Sequence, residues 1–155
     1  GGADPAEQAR AMAAFHQAYE AQGATLARPY PGALAALDAL RAAGVRLGLC
    51  TNKPEGAARI VLRDMGIEPL FDAVVGGGAL PLKPAPDMLL AAWAALGARG
   101  PYVGDSETDA ETAAAAGAPF ALFTRGYRKA GVDELAPAFA FDDFATLPEW
   151  ILSHG

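Results

Sequence analysis

From residue 45 onward, short apolar runs of about five residues alternate with helical patterns of about ten residues. This alternation constrains the fold more than any other feature of the chain. VRLGLC (45–50), AVVGG (73–77), PYVG (101–104), FALFT (120–124) and AFAF (138–141) read as strands. Between them, Pro54 to Met65 and Pro86 to Leu96 read as helices, stopped by Gly66 and Gly97. The second helix puts Leu89, Trp93 and Leu96 on one face. An alanine-rich helix runs to Gly117, and residues 143–152 close the chain as a helix. Short strands alternating with helices specify an α/β protein whose parallel sheet is covered on both faces.

The segment before residue 45 follows a different pattern. Asp4-Pro5-Ala6-Glu7 has the composition of a helix start, and Met12, Phe15 and Tyr19 recur at helical spacing, which predicts a helix over about 5–22. Arg28-Pro29-Tyr30-Pro31-Gly32 reads as a stiff non-helical link. Leu34, Leu37 and Leu40 mark a further helix that Gly44 would end.

Composition narrows the partners. A chain of 155 residues with 52% hydrophobic residues can bury a core, and a formal charge of −6 disfavours nucleic acid or an anionic membrane as partner. No apolar run is long enough for a membrane span. The single Cys50 excludes an internal disulfide and fits a reducing, cytoplasmic setting. His16 and His154 lie too far apart in sequence to suggest a zinc pattern. The chain opens Gly-Gly rather than Met, as expected after processing or behind a preceding segment.

In a parallel α/β sheet, ligands bind beyond the carboxyl ends of the strands. Thr51-Asn52-Lys53-Pro54 follows the first run and meets a helix N-terminus, where unpaired N–H groups attract anions; an ordinary N-cap explains the same residues. Gly76-Gly77-Gly78 and Leu82-Lys83-Pro84 follow the second run; the glycines would let backbone pass close to a ligand, and Lys83 is either a site residue or a solvated charge. After the third run, Asp105, Glu107, Asp109 and Glu111 crowd into seven residues. Two such charges about 4 Å apart repel by roughly 4 kcal/mol at an effective dielectric near 20. Glu107 and Glu111 are explained by the dipole of the helix they begin. Asp105 precedes that helix and is not. A hard cation such as Mg²⁺, held by one or two carboxylates, water and a substrate phosphate, would relieve the repulsion.

Thr51 behind an apolar strand, a lysine before proline and GDSETD behind another strand, in that order, resemble three of the four motifs of the haloacid dehalogenase superfamily of phosphohydrolases. Within it, RPYPG, CTNKP, KPAPDMLLAA, YVGDSETDAETAAAAG and FALFTRGYRK are similar to the bacterial phosphoglycolate phosphatase group, over about residues 28–147. The resemblance implies a Rossmann-like three-layer α/β/α core over 28–155 and, over 1–27, the remnant of a helical cap that selects substrate. It implies that Thr51 and Asn52 contact the transferred phosphoryl group and that Lys83 binds it and offsets the nucleophile's charge. Asp105 would ligate Mg²⁺, and Asp109 would support the metal shell through water or orient Lys83. The substrate would be a small phosphorylated metabolite, 2-phosphoglycolate, cleaved through an aspartyl-phosphate.

One motif is missing. The family's Asp-x-Asp-x-Thr, which carries the nucleophile and the general acid/base, does not occur in the chain. In the family it ends a strand in the middle of the sheet, between those bearing Thr51 and Asp105. The resemblance therefore implies a nucleophile in a preceding segment, and a gap of roughly 9–10 Å between the strands at 45–50 and 101–104. Direct pairing of those two strands, or a strand from another chain, are the other outcomes. The competing functions are a domain without a nucleophile that binds phosphate or metal or serves only as an interaction module, and a related phosphomutase.

Overall fold

A computed structural model describes residues 12–15, 19–22, 26–126 and 128–154. Among the described residues eight strands appear in chain order: β1 (Met12–Phe15), β2 (Tyr19–Gln22), β3 (Leu26–Pro29), β4 (Arg46–Pro54), β5 (Ala73–Gly77), β6 (Tyr102–Gly104), β7 (Phe120–Phe123) and β8 (Phe139–Phe141). The helices are α1 (Ala33–Ala42), α2 (Glu55–Asp64), α3 (Asp87–Leu96), α4 (Glu107–Ala116), α5 (Val132–Leu135) and α6 (Leu147–His154). Six strands form one sheet in the order β5-β4-β1-β6-β7-β8, every neighbouring pair parallel. β2 and β3 pair antiparallel as a separate two-stranded sheet.

The continuous apolar character of the strands has a direct structural cause. Side chains alternate between two cores, one on each face of the sheet. Leu47, Leu49, Val103, Ala121, Phe123 and Phe141 face one core with Leu37 and Leu40 of α1, Leu62 of α2 and Ile151 of α6. Cys50, Tyr102, Phe120 and Leu122 face the other with Met88, Leu89, Trp93 and Leu96 of α3 and Ala113 and Ala116 of α4. Alanine-rich α4 can lie close to the sheet because its inner positions are small. Gly97 and Gly117 end α3 and α4 at φ 80° and 74°. The result is the expected three-layer α/β/α arrangement.

The N-terminal expectations need correction. Met12–Phe15 and Tyr19–Gln22 are strands, so the helix over 5–22 does not form there; the remainder of that span, including the Asp4-Pro5 start, lies outside the described residues. The expected gap is also not what the sheet contains. Met12–Phe15 occupies the slot between β4 and β6, with Phe15 opposite Leu49 on one side and Val103 on the other. The expected division at residue 27 accordingly does not hold for Met12–Phe15, which belong to the core sheet. The physical reason is backbone pairing: two facing buried strand edges leave N–H and C=O groups that must find partners. Met-Ala-Ala-Phe, free of proline and charge, is a strand acceptable on both faces.

Candidate functional site

The ends of β4 and β6 and the segment after β5 bring Thr51, Asn52, Lys83, Asp105 and Asp109 together. Strand β4 runs farther than its apolar run suggests, through Pro54, with an irregular register between Cys50 and Pro54. Thr51 therefore sits within the strand end; it is 1% exposed, and its Oγ1 accepts the Lys53 N–H at 3.2 Å. The side chain of Asn52 grips the backbone of Lys83. Its Oδ1 accepts the Lys83 N–H at 2.8 Å, and its Nδ2 donates to the Lys83 carbonyl at 3.1 Å. Two of the neighbouring glycines allow close backbone packing against β4 and the start of α2. A Cβ on Gly77 would sit 2.5 Å from the Asn52 carbonyl oxygen, and one on Gly76 would collide with the Glu55 backbone.

Lys83 is 4% exposed, which rules out a solvated surface charge. Its Nζ lies 3.1 Å from Asp109 Oδ1, 3.1 Å from the Tyr102 hydroxyl and 3.5 Å from the Cys50 carbonyl. The peptide bond from Lys83 to Pro84 is cis. Burial pulls the ammonium pKa down, and Asp109 opposes that pull. Tyr102 donates to the same Asp109 Oδ1 at 3.2 Å, and burial, reinforced by Asp109, raises its phenol pKa well above the usual range.

Asp109 is fully buried, and both of its oxygens are occupied. Oδ1 takes Lys83 and Tyr102; Oδ2 accepts the Asp105 N–H at 3.0 Å and the Ser106 hydroxyl at 3.0 Å. Ser106 caps α4 in turn, its Oγ accepting the Asp109 N–H at 3.3 Å. This reciprocal N-cap to N3 pairing is why serine and an acid stand three residues apart. Gly104 is required because the Asp109 carboxylate lies where a Cβ would go. The crowding of acids is thus relieved in part by the protein itself, through the Lys83 ammonium and backbone N–H groups.

Asp105 is 7% exposed at the tip of β6. The Tyr30 hydroxyl donates to its Oδ2 at 3.1 Å, and Gly126 packs directly against the carboxylate. Tyr30 is itself fixed by ring contacts to Phe123 and Phe144, with centroids 4.7 and 6.3 Å away. Among the described residues no cluster of three or more His, Cys, Asp or Glu could hold a metal by protein groups alone.

Sequence reasoning passed over three of these groups. Tyr30 read as part of a stiff link and Tyr102 as part of an apolar strand, because nothing local reveals a hydroxyl partner 75 residues away. Glu107 read as a dipole partner of α4. It does begin that helix, but its carboxylate also accepts the backbone N–H groups of Lys129 and Ala130. Glu111 is exposed, as its assignment to helix chemistry requires.

Residues 2–117 match the haloacid dehalogenase-like hydrolase family. A phosphoglycolate phosphatase of Cereibacter sphaeroides is 52% identical over 148 residues, covering 94% of this chain and 68% of the relative. One from Rhodospirillum rubrum is 45% identical over 152 residues, covering 96% of this chain and 63% of the relative. The crystal structure of a predicted phosphoglycolate phosphatase from Haemophilus somnus superposes with a TM-score of 0.75 at 33% identity, over 81% of this chain and 58% of that one. The chain therefore spans about two thirds of the length of these relatives.

Proposed function

The chain belongs to the haloacid dehalogenase-like hydrolase family, and from that premise we propose that it is a Mg²⁺-dependent phosphatase of a small phosphorylated metabolite, 2-phosphoglycolate, releasing glycolate and phosphate. The observation that carries this reading is the hydrogen-bonded chain Asn52–Lys83–Asp109–Asp105, which ties the end of β4 and the segment after β5 to the end of β6. A buried ammonium and a carboxylate fixed side by side are what recognition of a phosphate with its cation needs.

Each residue has a part in this reading. The Thr51 hydroxyl contacts the phosphoryl oxygens at the end of β4. Lys83 neutralises charge on the phosphoryl group and on the attacking carboxylate. Asn52 fixes the Lys83 backbone, and its contact with substrate falls to its main chain. Asp109 orients Lys83 and, with both carboxylate oxygens accepting hydrogen bonds, would support the metal shell through water. Asp105 is the cation ligand, held in orientation by Tyr30. Asp105 would hold Mg²⁺, whose chemistry there would be to offset negative charge on the phosphoryl group. The nucleophile belongs to a segment preceding Gly1, because no Asp-x-Asp occurs in the chain. A cytoplasmic setting goes with the single buried cysteine and with the absence, among the described residues, of a helix long and apolar enough to cross a membrane.

One observation favours a second reading. Met12–Phe15 fills the central slot with residues that contain no carboxylate. A protein that used this strand throughout its life would bind phosphate or metal without cleaving it. A screen of phosphate release from a panel of phosphomonoesters, with Mg²⁺ and the intact natural protein, separates the two. The phosphatase reading requires turnover with 2-phosphoglycolate at the head of the panel. Release from none of them would leave the binding domain.

A further inference from the structure

After β7, the stretch of residues 124–126 and 128–131 is tied down by hydrogen bonds at either end. At its start, the Thr124 N–H and hydroxyl both donate to the Phe141 carbonyl, at 2.9 and 3.3 Å. Within it, the Arg128 guanidinium donates to the carbonyls of Thr124 and Ala130, at 3.3 and 2.9 Å. At its far end, Glu107 Oε1 accepts the N–H of Lys129 and, at 2.6 Å, that of Ala130. Between the ties, Gly126 lies against the Asp105 carboxylate so closely that a Cβ could not be added. Two acids separated by one serine thus hold the same segment: Asp105 touches its middle and Glu107 its exit. A helix-dipole role alone needs no acceptor geometry toward residues 22 and 23 positions away.

We propose that Glu107 is a positioning residue whose carboxylate, by holding the Lys129 and Ala130 backbone, keeps Gly126 against Asp105, so that Asp105 keeps one orientation toward a divalent cation. The part that concerns the cation rests on Asp105 being its ligand; the clamp does not. The chemistry is that of outer-shell support, in which a residue that never touches the metal holds the wall against which a ligand rests. A glutamate suits the task better than a serine or asparagine because one ionised oxygen can accept two amide donors, each a charge-assisted bond.

The test uses the intact natural protein without metal, then with Mn²⁺ as the probe. Amide hydrogen exchange at Lys129 and Ala130 is compared in wild type, Glu107→Ala and Glu107→Gln, and Mn²⁺ affinity is read from the electron paramagnetic resonance of the unbound ion. Asp105→Asn serves as the control. Glu107→Ala should speed exchange at both amides by about 10-fold or more, the loss of hydrogen bonds to a charged group. It should weaken Mn²⁺ binding by about 10-fold, the low end for outer-shell changes. Glu107→Gln keeps an acceptor oxygen and an uncharged, isosteric side chain, so it should lie between wild type and alanine in both readouts. Unchanged exchange in Glu107→Ala would overturn the clamp, whatever happens to Mn²⁺. Faster exchange with unchanged Mn²⁺ affinity, where Asp105→Asn does lose affinity, would overturn its action on Asp105. If Asp105→Asn binds Mn²⁺ as wild type does, the ligand reading fails, and the exchange data still decide the clamp.

Discussion

Replacing Asp109 with asparagine isolates the electrostatic centre of the site, because it removes a charge while keeping the shape. In the structure Lys83 and Asp109 have side chains 1% and 0% exposed, with 3.1 Å between Nζ and Oδ1. An asparagine cannot take over the network. Oδ1 accepts from Lys83 and Tyr102, and Oδ2 from Asp105 and Ser106, so either orientation of the amide turns its NH₂ toward donors. The Lys83 ammonium then stays buried without the carboxylate that contacts it directly, and Asp105 is left as a more distant negative charge. Breaking a buried pair on one side costs about 3–5 kcal/mol. That is about a fifth or more of a typical domain stability of roughly 5–15 kcal/mol. At about 2–4 °C per kcal/mol for a domain of this size, the melting temperature should fall by roughly 6–20 °C. Equilibrium urea unfolding measures the loss, with an unchanged slope showing that the native and unfolded states keep their exposed surface. The double variant Lys83→Met/Asp109→Leu should be destabilised by clearly less than the sum of its two single variants, since neither charge is left alone. A loss below about 1 kcal/mol for Asp109→Asn, or simple additivity in the cycle, would refute the claim that the pair acts as one unit.

Other outcomes follow from the same geometry. Lys83→Ala in the intact natural protein should lower kcat by about 10- to 150-fold, the value of roughly 1.5–3 kcal/mol for a charged hydrogen bond, and saturating substrate should not restore it; an effect on KM alone would make Lys83 a uniform binding group. Burial raises the Cys50 thiol to about 12, so native protein should resist iodoacetamide at pH 8–9 and react once unfolded. The sign of its pH dependence is fixed: between its ordinary value near 9.0 and about 12 the unfolded chain binds fewer protons than the native one, so this group's contribution to stability falls as pH rises, by at most about 1.4 kcal/mol per unit. Urea unfolding of wild type and Cys50→Ala across that window reads the difference, and parallel pH profiles would contradict it. The 155 residues purified alone, with mass verified, should release no phosphate from 2-phosphoglycolate with Mg²⁺, because they contain no Asp-x-Asp; measurable turnover would place the nucleophile inside this chain.

Most of the sheet and its helices were legible because β4, β6 and β7 are buried on both faces. A run such as Val-Arg-Leu-Gly-Leu-Cys, with Leu47 and Leu49 in one core and Cys50 in the other, leaves a continuous apolar signature. The strand ends were legible for a related reason: chemistry-bearing residues follow those runs directly, so Thr51, Lys83 and Asp105 stood out before any contact was known. What stayed hidden depends on partners distant in sequence. The Tyr30 phenol reaches Asp105, Tyr102 bridges Lys83 and Asp109, and Glu107 reaches the backbone of residues 129 and 130. Local spacing carries no trace of these. Residues 12–15 were misread because helical periodicity in a short segment competes with the demand of two strand edges for a partner, and that demand is visible only in the assembled sheet.

The central claim is that Asp105 and Lys83 serve one Mg²⁺-dependent phosphoryl site, and a Mg²⁺ titration of phosphate release from 2-phosphoglycolate tests it most directly. Wild type, Asp105→Asn and Lys83→Met versions of the intact natural protein are compared across the titration. Wild type should require the cation and lose all turnover with a chelator. Asp105→Asn should lose most turnover and the saturable response to Mg²⁺. Lys83→Met should keep the cation requirement while turnover collapses. Turnover that persists in the chelator, or an Asp105→Asn protein with normal rate and unchanged Mg²⁺ response, would contradict the account.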